Sequence, residues 1–253
     1  PSELLHEARL LKSPEEVELM RKAATIAAEA HSRAMELSRP GMFEYELQAE
    51  IEYVFKKRGA MGPSYGSIVG AGDNGCILHY VENNAKMKDG DLVLIDAGAE
   101  YEFYASDITR TFPVNGRFTP AQRDLYEIVL QANLEAIAQV KPGNSFQSVH
   151  DVAVRVLTEG LVRLGILQGE VSELIESGAF RRFYMHKTSH WIGIDVHDVG
   201  SYKVKGEWRA LQPGMVLTVE PGLYIAEGTE GVDPKYWGIG IRVEDDVLVT
   251  ASG

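Results

Sequence analysis

Two nine-residue stretches of this chain lie on each other without a gap: Gly90-Asp91-Leu92-Val93-Leu94-Ile95-Asp96-Ala97-Gly98 and Gly214-Met215-Val216-Leu217-Thr218-Val219-Glu220-Pro221-Gly222. Each is an apolar, β-branched strand that opens on glycine and sets one carboxylate, Asp96 or Glu220, at the same position. The flanking order repeats as well. Ser13, Pro14 and Glu16 can start a helix with a capping box, and apolar periodicity carries it to about Leu37, where Pro40 and Gly41 end it. A second helix is expected from Glu44 to Arg58, stopped by Gly59 and followed by Gly-rich, strand-like sequence up to a hairpin near Asp96. Thr119, Pro120 and Gln122 start the next helix by the same chemistry, Pro142 and Gly143 end it, and Ser145 to Leu164 form another closed by Gly165. This doubling predicts one α+β unit of two pseudo-symmetric halves, about 13–112 and 119–250, with helices covering an antiparallel sheet.

The acids need explaining. A hairpin turning about Tyr101 and Glu102 puts Asp96 opposite Asp107 with both side chains on one face, while Val93, Ile95 and Ile108 take the other. Pairing Glu220 with Glu244 gives the same result in the second copy, with Thr218, Gly222 and Arg242 beside them. Four carboxylates on facing hairpins repel and are strongly destabilising unless protons or cations sit among them. Separate solvated strand residues would need no such compensation, but each acid is flanked by apolar neighbours.

His186, His190 and His197 place three imidazoles in twelve residues. The stretch lacks the Glu and the helix of a zincin motif, since Gly193, Ile192, Ile194 and Val196 favour strand and loop. Beside a carboxylate cluster these histidines suit ligand and acid/base roles, with His79 as the candidate from the first half. His6, His31 and His150 have no ligand-type neighbours and are assigned to surface or core. The run Gly66 to Gly72 fits neither a P-loop nor a dinucleotide fingerprint and is read as backbone bending near the site. Tyr53, Phe55, Phe180, Phe183 and Tyr184 fit core or pocket wall equally.

Composition excludes several classes. A net charge of -12 with no Lys/Arg run argues against a nucleic-acid surface. No apolar stretch approaches the roughly 20 residues that span a bilayer, so no membrane segment is expected. The single Cys76 cannot form an internal disulfide, which fits a reducing cytoplasm. The chain opens at Pro1 and stops at Gly253 just after Val247, Leu248 and Val249, and is expected to be a piece of a longer protein.

The blocks Ile77-Leu78-His79-Tyr80, Asp96-Ala97-Gly98-Ala99-Glu100, Ser106-Asp107-Ile108-Thr109-Arg110-Thr111-Phe112, Ser189-His190-Trp191, Asp195-Val196-His197-Asp198, Thr218-Val219-Glu220-Pro221-Gly222 and Gly240-Ile241-Arg242-Val243-Glu244-Asp245 resemble, in order, those of the pita-bread metallopeptidases, specifically the Xaa-Pro aminopeptidases. The resemblance covers essentially the whole of residues 1–253 as a C-terminal catalytic domain with a curved sheet, the family's N-terminal domain being absent. It implies that Asp96 chelates one metal, that His190 and Glu220 bind another, and that Asp107 and Glu244 bridge them. A mostly oxygen donor set suits Mn²⁺, with Co²⁺ or Zn²⁺ possible. The implied reaction is hydrolysis of the bond between an N-terminal residue and a following proline by a hydroxide held between the two ions. Glu220 would shuttle protons, His79 and His197 would line the substrate side with His186 nearby, and Arg242 would steady Glu244. The implied partners are peptides with proline second, and the full-length protein is a possible homo-oligomer.

Lys187 stands where the family commonly has glycine, adding a cation and bulk beside the pocket. Two alternatives remain at this stage: a prolidase cutting dipeptides only, and a non-catalytic binding module of the same fold. A methionine aminopeptidase fits the Asp195 to Asp198 block poorly.

Overall fold

Ser13 and Thr119 start the two long helices alike. The Ser13 and Thr119 hydroxyls accept from the N–H of Glu16 and Gln122, both at 3.3 Å, and those side chains accept in return from the Ser13 and Thr119 N–H at 2.7 and 2.9 Å. The computed structural model describes residues 2–252, leaving Pro1 and Gly253 outside it. Its first half runs α1 (Ser2–Leu10), α2 (Pro14–Leu37), α3 (Glu44–Lys57), β1 (Gly62–Pro63), β2 (Ile68–Ala71), β3 (Leu92–Asp96), β4 (Ala99–Tyr101), β5 (Tyr104–Ala105) and β6 (Thr109–Pro113). Its second half runs α4 (Pro120–Ile137), α5 (Phe146–Arg163), α6 (Val171–Glu176), β7 (Lys203–Val204), β8 (Glu207–Trp208), β9 (Val216–Val219), β10 (Gly222–Ile225), β11 (Ile239–Arg242) and β12 (Asp245–Leu248). Helices α1 and α6 were not anticipated, and the glycine-rich run read as a bend contains strand β2, paired with β3.

The strands pair antiparallel throughout, with β3 between β2 and β6. Helices α2 and α3 cover that sheet, burying Ile26, Leu47, Ile51 and Phe55 against Val69, Val93 and Ile95. Helices α4 and α5 cover β10 and β11, burying Leu125, Ile128, Leu157 and Leu161 against Leu223, Ile225, Ile239 and Ile241. Burial of apolar area, at about 25 cal/mol per Å², anchors through these two cores the strands on which the acids sit.

The first hairpin departs from its expected register. Asp96 pairs with Thr109, and Tyr101 pairs with Tyr104, so the turn falls at Glu102 and Phe103. Both turn residues have positive φ, 49° and 69°, as a two-residue hairpin turn of primed type requires. Neither is Gly or Asn, so the sequence carries no mark of that turn. The slip is two residues, and a slip of two keeps every side chain on its face: Asp96 and Asp107 remain neighbours, now diagonal. In the second hairpin Val219 pairs with Asp245 and Gly222 with Arg242, a register that sets Glu220 opposite Glu244.

The hairpins of the two halves meet edge to edge. The Glu244 N–H donates to the Thr109 carbonyl at 3.1 Å, the Arg242 N–H to Thr111 Oγ1 at 3.2 Å, and Arg110 Nη2 to Asp245 Oδ1 at 2.6 Å. Backbones also touch at Gly75 and Gly240, where a Cβ on Gly240 would stand 2.0 Å from the Gly75 carbonyl oxygen, so only glycine fits.

Candidate metal centre

At that seam, strands from both halves deliver their acids to one spot. Asp96 ends β3, Asp107 precedes β6, Glu220 lies between β9 and β10, and Glu244 lies between β11 and β12. His190 comes from a segment laid along β9, where the Thr218 N–H donates to the His190 carbonyl at 3.0 Å and the Glu220 N–H to the Thr188 carbonyl at 2.8 Å. Ligand atoms of Asp107, His190 and Glu244 lie within 4.8 Å of one another. His190 Nε2 is 3.4 Å from Asp107 Oδ2 and 3.6 Å from Glu220 Oε1. All five residues, with Arg242, His79, His186 and His197, line one cavity of about 370 Å³.

Charge balance tests whether these residues fit a cation. Among the described residues Arg242 is the one fixed cation in contact with the acids: its Nη2 donates to Asp96 Oδ2 at 2.6 Å. Its link to Glu244 is indirect. Arg242 Nε donates to Thr109 Oγ1 at 3.2 Å, and Thr109 in turn donates to Glu244 Oε2 at 2.5 Å, so the guanidinium reaches that acid through a hydroxyl. Burial pushes the Glu220 carboxyl up to about 7 against the pull of His190 and Arg242. Burial, followed by the Asp107, Glu220 and Asp96 charges, raises Glu244 well above the carboxylate range. Burial also raises Asp96, although Arg242 opposes it. Burial would lower His190, but Asp107 and Glu220 outweigh it and push the imidazole up to about 9. Without a metal, then, this cluster holds extra protons.

The imidazole geometry fits the same conclusion. His190 Nδ1 lies 3.0 Å from the Trp191 carbonyl, which accepts a hydrogen bond from that nitrogen and turns Nε2 toward the acids, where a cation could displace its proton. The residues fit a divalent cation: oxygen-rich donors, one oriented imidazole and excess negative charge.

Several residues here carried no sequence signal. Tyr65 Oη contacts Asp96 Oδ1 at 2.6 Å and Asp107 Oδ1 at 2.5 Å, and its single proton can serve only one of them. Asp246 is half-buried, with one oxygen accepting from the Asp107 N–H at 3.0 Å and the other, itself buried, without a partner among the described residues. Tyr224 donates to His186 Nε2 at 2.8 Å and accepts from Arg242 Nη1 at 2.9 Å. His150, assigned to surface or core, instead lines the cavity with Phe146, Gln147 and Trp208, its Nδ1 2.8 Å from Thr188 Oγ1. Phe146 and Gln147 come with it on the same helix face, which helical spacing could have suggested once Ser145 was read as the cap. His31 is core, its Nε2 3.0 Å from the Ala97 carbonyl, and His6 is exposed. Of the five aromatic residues that spacing left open, Phe55, Phe180, Phe183 and Tyr184 are buried and Tyr53 is exposed.

His186 Nδ1 lies 2.8 Å from the Lys187 carbonyl and 3.5 Å from Glu220 Oε2, and burial holds its imidazole down at about 3. His197, exposed on one side, meets the His190 ring edge-on at 4.6 Å, and partial loss of solvent there followed by the His190 charge lowers it. His79 sits on the exposed rim.

The chain matches metallopeptidase family M24 over residues 18–251. It is 58% identical over 250 residues to the Xaa-Pro aminopeptidase of Escherichia coli (strain K12), an alignment covering 99% of this chain and 56% of that protein. The structure of Pseudomonas aeruginosa aminopeptidase PepP superposes with a TM-score of 0.98 at 60% identity, covering 99% of this chain and 57% of that one. Zinc-substituted E. coli aminopeptidase P in complex with product gives 0.96 at 58% identity, covering 99% and 57%. The chain thus spans little more than half the length of these proteins.

Proposed function

Because the chain belongs to metallopeptidase family M24, we propose that it is the catalytic unit of an Xaa-Pro aminopeptidase, releasing the first residue of peptides whose second residue is proline. The observation that carries this reading is the convergence of Asp107, His190 and Glu244 within 4.8 Å, in a cluster of four carboxylates met by a single guanidinium. On this reading Asp96, Asp107, His190, Glu220 and Glu244 would together hold two divalent metals, with Asp107 and Glu244 shared between them. Manganese is the first candidate for an oxygen-rich set, ahead of Co²⁺ and Zn²⁺. The halves 13–112 and 119–250 form one duplicated unit, each contributing acids from an equivalent hairpin.

Two such cations would supply Lewis-acid activation of water and of the scissile carbonyl. The protein groups do the rest. Glu220 takes a proton from the attacking water at a carboxylate oxygen and returns it to the departing proline nitrogen. His79 and His197 on the wall orient the scissile carbonyl. His186, kept neutral and fixed by Tyr224, braces the Glu220 side of the cavity. Arg242 fixes the Asp96 carboxylate in place. The neighbours' names favour the aminopeptidase reading over prolidase. Cytoplasmic placement is supported by the single free Cys76 and by the absence, among the described residues, of any helix long and apolar enough to cross a membrane. The full-length protein is read as a homo-oligomer.

The test is hydrolysis of an Xaa-Pro-Xaa tripeptide and an Xaa-Pro dipeptide by metal-stripped chain before and after Mn²⁺ is restored. Manganese-dependent tripeptide cleavage supports the reading. Dipeptide-only cleavage makes the protein a prolidase, and failure to bind metal ends the catalytic interpretation.

A further inference from the structure

The cavity wall carries a second cation that the acid cluster does not use. Arg242 is fully engaged by Asp96, Tyr224 and Thr109. Lys187 also lines the cavity, yet among the described residues its ammonium has no hydrogen-bond or ion-pair partner. It directly follows His186, whose Nδ1 faces Glu220 at 3.5 Å, so it stands beside the acids rather than among them. Lys187 itself is exposed at the cavity wall, whose lining also includes the neutral Gln147, Phe146, Trp208 and His150. His150 is held at about 4 by burial first and by the Lys187 charge second, ahead of the weaker and opposed effects of Asp151 and Arg181, so the ammonium stands close to this imidazole.

A wall with acids at one part and a single free ammonium at another suits a ligand bearing opposite charges along its length. A peptide substrate has that pattern: its amino terminus belongs with the acids and their cations, and its carboxylates lie downstream. An extended chain advances about 3.3 Å per residue, so a third-residue carboxylate lies within about two residue lengths of the scissile bond. Lysine presents its charge on a flexible four-carbon stem able to follow such a group.

We propose that Lys187 is a specificity-determining residue that receives a carboxylate on the leaving-group side of the peptide. The carboxylate is either the free C-terminus of a tripeptide or the side chain of Asp or Glu as third residue. This rests on the Xaa-Pro reading of the same site.

The test is equilibrium binding of leaving-group peptides to the manganese-loaded chain, followed by tryptophan fluorescence, since Trp208 lines the cavity. Pro-Ala is compared with Pro-Ala amide for the terminal carboxylate, and Pro-Asp amide with Pro-Asn amide for the side chain. The expected result is a preference of about fivefold for the charged member of at least one pair, lost in Lys187→Met and kept in Lys187→Arg. The pair that shows it names the source. Equal affinities within both pairs, a preference that survives Lys187→Met, or no binding of any of the four overturns the proposal. Hydrolysis of Ala-Pro-Ala and its amide, run alongside, separates the two readings. A charge preference without hydrolysis leaves the Lys187 contact standing and removes the aminopeptidase assignment; hydrolysis without a charge preference does the reverse.

Discussion

Arg242 Nη2 and Asp96 Oδ2 meet at 2.6 Å, tying the end of β11 in the second half to the end of β3 in the first. Both groups are largely buried, and among the described residues the guanidinium is the only fixed positive charge touching the acid cluster. Arg242→Met should therefore destabilise the metal-free chain by about 3–5 kcal/mol, the cost of stranding buried charge. Added Mn²⁺ should recover part of that loss, because cations then offset the acids. Urea unfolding with chelator and with Mn²⁺ measures both. Equal losses in the two conditions would show that Arg242 does not share the work of charge balance with a metal.

A pH dependence follows from His190 and Glu220. For His190 the folded value of about 9 exceeds the unfolded 6.5, so its stabilisation is complete below 6.5 and lost as pH rises through 9. For Glu220 the folded value of about 7 exceeds the unfolded 4.5, so the folded state again binds the extra proton and stability falls as pH rises from 4.5 through 7. The signs agree. Metal-free chain should lose on the order of a few kcal/mol between pH 6.5 and 9. Saturating Mn²⁺ should flatten the profile, since cations take the place of the protons. Thermal unfolding across this range, with and without metal, decides it; a flat metal-free profile would contradict the charge assignment.

Glu44 supports the first-half histidine from a distance. It is wholly buried and accepts from Ala71 N–H at 2.8 Å, Asn74 Nδ2 at 3.0 Å, Tyr80 Oη at 2.8 Å and Ala85 N–H at 2.8 Å. The segment from 77 to 85 that carries His79 has no helix or strand of its own, so these bonds set its path. Glu44→Gln replaces one acceptor oxygen with a donor, leaving buried N–H groups unpaired. Activity should fall about tenfold or more with metal stoichiometry unchanged, and the double variant with His79→Ala should be no worse than His79→Ala alone. Additive losses would mean that Glu44 acts elsewhere.

What the sequence made legible follows from which forces are local. The capping pairs Ser13/Glu16 and Thr119/Gln122 act over three residues, so helix starts could be read directly. The alternation of apolar and acidic residues gave the faces of Asp96, Asp107, Glu220 and Glu244. It did not give the register of the first hairpin, because Glu102 and Phe103 take positive φ without Gly or Asn to signal it. Tyr65 and Asp246 were invisible for another reason: each reaches the cluster through tertiary packing, and a lone Tyr or Asp has no period or spacing to mark it. His150 was misplaced because its partners Thr188 and Tyr184 come from a loop 30 or more residues downstream.

Asp198 explains the last residue of the Asp195 to Asp198 block. Its side chain, 1% exposed, pairs with Lys12 Nζ at 3.2 Å and with Arg9, both beyond the C-terminal end of α1 or in its last turn. Its N–H closes the loop on the Trp191 carbonyl at 2.9 Å, so the segment bearing His197 is clamped where it leaves the site. Lys12 is equally buried, and burial lowers its ammonium against the pull of Asp198. Asp198→Asn should then cost about 3–5 kcal/mol by leaving Lys12 without a counter-charge. Adding Lys12→Met should restore most of the stability, because the stranded charge is gone, but not the side-chain part of the clamp, the tie from the loop to the end of α1. If the clamp positions His197, the stabilised double variant keeps normal metal binding yet retains reduced kcat. Recovery of kcat together with stability would make the Lys12–Asp198 pair a packing feature with no bearing on His197.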